Sequence, residues 1–153
     1  MDVKYVTPFI EAFNNVMSQL GFAEIKKGNL QARKKTFTGE GVIIIVGIVG
    51  QLKGNVVYVM GTNSAKQVAS TMMMGMPIDE LDAMAKSALS ELTNMLTANA
   101  ATAFSAMDIL IDISTPTFLQ GESVEVTMSS DKVLCVQLLA DGTPIDINIS
   151  FEG

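Results

Sequence analysis

Residues 85–118 read AKSALSELTNMLTANAATAFSAMDILIDISTPTF. The first part is small and apolar, as a packed helix should be, and the last part turns β-branched, as a strand should be. On a wheel of about 100° per residue, Leu81, Ala85, Leu89, Leu92, Leu96 and Ala103 fall within an arc of roughly 80°. Ser87, Glu91 and Asn94 fall within about 60° on the opposite side. Pro116 follows Asn94 by 22 residues, inside the strand-like part, where a residue without an N–H is confined to an edge, a start or a bulge.

Working outward, a first helix is predicted over 3–20, with Phe9, Phe13, Val16 and Leu20 on its buried side and Gly21 ending it. Strands follow at 30–37, 42–49 and 55–60, with turns at Thr38-Gly39-Glu40-Gly41 and Lys53-Gly54. A short helix spans 64–74 and stops at Gly75 and Pro77. Asp79 is the expected N-cap of a long helix reaching Phe104. Strands at 110–119, 124–128, 133–139 and 145–151 close the chain. In the last, Asp146, Asn148 and Ser150 alternate with Ile145, Ile147, Ile149 and Phe151, which reads as one wet face and one dry. Strands joined by tight turns give an α+β fold, a mainly antiparallel sheet with helices packed on it. The 153 residues read as one domain, 1–153.

The halves resemble each other. Thr7, Glu11 and Asn14 match Ser87, Glu91 and Asn94 at a constant offset of 80. KKTFTGEGV resembles TPTFLQGESV, with Phe37 answering Phe118. This is the pattern of a duplicated helix-plus-strands unit.

Composition narrows the chemistry. A net charge of −6 without a basic stripe disfavours nucleic acid and anionic membrane. The longest apolar run, Val42 to Val49, is far short of the roughly 18 residues of a membrane span, and no signal peptide is apparent. The single cysteine, Cys135, excludes an internal disulfide, fits a reducing cytoplasm, and lies in an apolar strand where a buried thiol is expected. Absence of histidine excludes a Ser-His-Asp triad, a Cys-His pair and His-ligated metal. Lys26-Lys27 and Arg33-Lys34-Lys35 read as solvated strand ends, and no GxxxxGK[ST] loop occurs. The methionine-rich run TMMMGM, from Thr71 to Met76, suits core or dimer packing, or a partner surface.

Glu91 and Asn94 lie one helical turn apart and point the same way, which describes either a solvated face or a tool. A carboxamide can hold and orient water, and a carboxylate can pair with a lysine. The chemistry that suits them is positioning water at an already labile bond such as an acyl phosphate.

Ser87-x3-Glu91-x2-Asn94 followed by Pro116 resembles the signature of the CheC/CheX/FliY phosphatases of bacterial chemotaxis, CheX most of all. The resemblance implies a CheC-like fold, a homodimer, and dephosphorylation of the phosphoaspartate of a CheY-like response regulator. It implies that Asn94 orients the water, Glu91 pairs with the regulator's lysine, Ser87 and Pro116 contact the partner, and the Mg²⁺ belongs to the regulator. Glu11 and Asn14 have Thr36 where a matching proline belongs, which weighs against a second site. A dimer would also cover apolar strands such as 42–49 and 56–60 if they lay at a sheet edge. The alternatives are a docking module without catalysis and an assembly component resembling a motor-switch protein.

Overall fold

The computed structural model describes residues 3–152. A 3-10 turn at Val3–Tyr5 leads into α1 (Thr7–Gln19), with Pro8 in the first turn, where a missing N–H costs nothing. β1 (Ile25–Arg33), β2 (Thr36–Gly50) and β3 (Gly54–Met60) follow, then α2 (Thr62–Met72) and α3 (Ala83–Ser105). β4 (Ile111–Ile113), β5 (Thr117–Thr127), β6 (Val133–Ala140) and β7 (Thr143–Phe151) complete the chain.

All strand pairings are antiparallel. The sheet runs β1-β6-β7-β3-β2-β4, and β5 pairs with β2 beside β4. Exchanging β1 with β4, β2 with β6 and β3 with β7 gives the same order read backwards, the topological imprint of a duplicated unit. Each half is a helix, a strand and a hairpin. The second half carries β5 in addition, and α2 stands between the halves outside the repeat.

One sheet face supplies the main core. Val42, Ile44, Val46, Ile48, Tyr58, Val136 and Ile147 meet Phe9, Phe13, Leu89, Leu92 and Phe104 from the helices. Each large apolar side chain removed from water stabilises by about 1.5–3 kcal/mol. Phe104 also packs edge-on against Phe9 and Phe151, tying the end of α3 to α1 and β7.

Several boundaries depart from the sequence reading. The strand expected at 30–37 is two elements: β1 begins earlier, and Phe37 belongs to β2. Thr38–Gly41 is no turn but a bulge within β2, with the register shift between Gly39 and Gly41. The strand expected at 110–119 is broken at Ser114–Pro116, and the one expected at 124–128 is the end of β5. The N-cap of α3 is Asp82 rather than Asp79: its carboxylate accepts from the Ala85 N–H at 2.9 Å.

The expectation of a wet face on β7 also fails. Asn148 and Ser150 are buried because the β2–β5 arm bends over the outer face, where Val126, Met128 and Phe37 pack with Ile43, Val57 and Val133. Burial there obliges polar partners. Asn148 donates to the Val57 carbonyl at 3.1 Å and accepts from Arg33 Nη1 at 2.9 Å. Ser150 and Ser130 bring their hydroxyls within 2.9 Å.

Strands β2 and β3 lie inside the sheet, so they are not the exposed edges a dimer was expected to cover. The edges are β1, with its exposed Lys26 and Lys27, and β4 with β5.

Candidate active site

The site is built on α3, and its rotation is fixed from below. Thr97 Oγ1 donates to the Thr93 carbonyl at 2.6 Å, and Tyr58 Oη lies 2.8 Å from Thr97 Oγ1. A threonine hydroxyl has one proton, so Tyr58 is the donor in the second bond. Thr93 Oγ1 in turn donates to the Ser90 carbonyl at 2.9 Å. Burial pushes the Tyr58 phenol well above its ordinary range. With Leu89, Leu92, Leu96 and Ala100 also buried, α3 has one orientation against the sheet.

That orientation turns Ser87 and Glu91 to solvent and leaves Asn94 half-buried. The three line an open groove of about 420 Å³ with Lys86, Ser90, Thr115 and Pro116. Pro116 comes to α3 through the break between β4 and β5. Ser114 donates its N–H to the Gly47 carbonyl at 2.9 Å, and the Gly47 N–H donates to Ser114 Oγ at 2.8 Å. Pairing resumes at Thr117, opposite Ile45. Thr115 and Pro116 fall between, where no ladder bond is needed, and form the lip of the groove.

All four residues singled out in the sequence thus meet in one groove. Lys86, Ser90 and Thr115 were not singled out. Ser90 and Lys86 lie on neighbouring stripes of the same helix, and Thr115 is next to the proline, so adjacency was the signal available. Lys86 Nζ lies 6.0 Å from the Phe118 ring centroid, which draws it over the lip.

Among the described residues, neither the Glu91 carboxylate nor the Asn94 carboxamide has a hydrogen-bond partner within the chain. Both remain available to another molecule. No three His, Cys, Asp or Glu side chains converge as metal ligands among the described residues. Glu11 and Asn14 are exposed on α1, which packs beside α3. Thr36 is engaged elsewhere, its hydroxyl 3.1 Å from that of Thr127. Cys135 is buried, and desolvation pushes its thiol up to about 11, as a packing thiol requires.

An amide and a carboxylate thus stand together on an exposed helix face, beside a proline lip and over a duplicated antiparallel sheet. Residues 42–139, which contain the whole groove, match the family model for the chemotaxis phosphatase CheX, and the chain belongs to that family. It is 28% identical over 127 residues to the CheY-P phosphatase CheX of Thermotoga maritima, covering 82% of this chain and 81% of that one. A CheC-like superfamily protein from Shewanella superposes with a TM-score of 0.87 at 25% identity over the full length of both chains. A chain of the CheX–CheY–BeF3–Mg²⁺ complex from Borrelia burgdorferi superposes with a TM-score of 0.83 at 27% identity, covering 99% of this chain and 100% of that one. No helix among the described residues is long and apolar enough to cross a membrane.

Proposed function

We propose that this chain hydrolyses the phosphoaspartate of a CheY-like response regulator, with Asn94 and Glu91 as the working pair. The observation that carries the reading is the meeting of Ser87, Glu91, Asn94 and Pro116 in one open groove. The Thermotoga relative's name and the Borrelia complex support the partner class.

In this account α3 enters the regulator's active site. The Asn94 carboxamide oxygen accepts a hydrogen bond from a water molecule and aims the water's oxygen at phosphorus, and the water's protons leave with the phosphate. The water's oxygen forms the new P–O bond, the bond to the aspartyl oxygen breaks, and the electron pair leaves with the aspartate. The products are inorganic phosphate and a free carboxylate. Little covalent chemistry falls to the enzyme, so alignment supplies most of the acceleration. Glu91 pairs with the regulator's lysine and fixes the docking. Ser87 and Pro116 contact the regulator. The regulator carries the Mg²⁺, which neutralises the phosphoryl oxygens.

A phosphorylated CheY-like receiver with Mg²⁺ tests this reading through the rate of phosphate loss. Acceleration by the native chain is the expected result. Tight binding without acceleration would assign the groove to docking alone. The homodimer now rests on the family resemblance, since the apolar strands are interior, and predicts a light-scattering mass of two chains.

A further inference from the structure

The groove around Asn94 is too small to account for recognition of a protein. A stable interface covers about 800 Å² on each partner, a disc of roughly 16 Å radius. Centred on Asn94, such a disc reaches well past the groove. Met84 lies ten residues before Asn94, about 15 Å along the helix axis, inside that radius. It also shares the stripe of Ser87, Glu91 and Asn94, within roughly 80° on the wheel.

Met84 is 66% exposed, and the α2–α3 connection adds Met76 at 55% and Met74 at 98%. Met76, Met84, Ile78 and the acidic Asp79 and Glu80 line an open depression of about 460 Å³. Met74 does not line the depression but closes α2: its N–H donates to the Thr71 carbonyl at 3.3 Å and the Gly75 N–H donates to the Ser70 carbonyl at 2.8 Å, the bonds of a left-handed helix end. The Met74 φ of 61° is left-handed and is followed by Gly75 at 85°. A left-handed residue other than glycine or asparagine is disfavoured by about 1–2 kcal/mol. Stability alone favours glycine or asparagine at position 74. Met76 and Met84 are flexible apolar side chains of the kind that suits an adaptable binding surface.

We infer that Met76 and Met84, rimmed by Asp79 and Glu80, form the selectivity half of the regulator-docking surface. They take an apolar residue of the receiver flanked by lysine or arginine. This rests on the proposed phosphatase reading and adds to it the surface that chooses among receivers. Methionine adapts to irregular shapes, and the acidic rim favours basic partners and hastens their encounter. Met107 and Leu110 are also exposed, but neither lines the groove or the depression.

The test uses the full chain and a CheY-like receiver whose phosphate loss it accelerates. The combined variant M76S/M84S should raise KM roughly tenfold, with kcat unchanged, as expected when apolar contacts at an interface are truncated. Its Tm should be unaltered, because both side chains are exposed. D79N/E80Q should flatten the salt dependence of kcat/KM. M107S/L110S should leave KM unchanged. An unaltered KM in the methionine variant, or a KM that moves instead in M107S/L110S, overturns the inference while leaving the phosphatase reading intact. Asn94→Ala runs alongside. If the native chain accelerates no receiver, the phosphatase reading fails and this inference with it.

Discussion

Tyr58 on β3 and Thr97 on α3 meet hydroxyl to hydroxyl at 2.8 Å, both fully buried, 39 residues apart in the chain. This contact fixes which face of α3 looks outward. Tyr58→Phe removes the donor and leaves a Thr97 lone pair without a partner, at a cost of about 1–2 kcal/mol. A lowered urea midpoint with an unchanged m-value is the expected result. Unchanged stability would remove this pair from the account of how α3 is held.

The cap of α3 is separately testable. Asp82→Ala should destabilise by about 1 kcal/mol, because the Ala85 N–H loses its acceptor. Asp79→Ala should have little effect on Tm. The reverse ranking would return the cap to Asp79.

Two left-handed glycines separate strain from collision. At Gly41, with φ of 98°, an added Cβ would stand 2.5 Å from the Met60 carbonyl oxygen and 2.9 Å from Gly61 Cα. At Gly21, with φ of 102°, it would meet nothing within 4 Å. Gly21→Ala should therefore cost about 1 kcal/mol, and Gly41→Ala clearly more, on the order of 3 kcal/mol or above. Thermal melts of the two variants give the comparison.

Alkaline pH should destabilise the fold through Cys135 and Tyr58. Burial raises the Cys135 thiol from 9.0 to about 11, and it raises the Tyr58 phenol too. The folded state then holds protons that the unfolded chain releases. Stability is full below about pH 9 and falls as pH climbs toward 11. Urea midpoints at rising pH should show the decline, and Cys135→Val should lessen it. A flat profile across this range would contradict the burial of these groups.

Much of this was legible in the sequence, for physical reasons. The site lay on one long helix, where spacing converts directly into direction, so Ser87, Glu91 and Asn94 could be placed on one face. The offset of 80 between Glu11 and Glu91 exposed the duplication. What stayed hidden depended on distant pairing. Thr38–Gly41 carries turn residues, yet β5 pairs across it and makes it a bulge in one long strand. Asn148 and Ser150 look solvent-facing by alternation, but an arm from β2 and β5 folds over them. Pro116 signalled an interruption, and only the pairing of β4 and β5 with β2 shows where the strand breaks.

The central claim is that Asn94 positions water while the rest of the surface binds. Asn94→Ala addresses it most directly, with turnover and binding measured on the same phosphorylated or beryllofluoride-loaded receiver in Mg²⁺. The account predicts a fall in kcat on the order of 10²-fold or more with Kd changed only a few-fold, as loss of an aligning group requires. An unchanged kcat would contradict it and leave the groove as a docking surface alone.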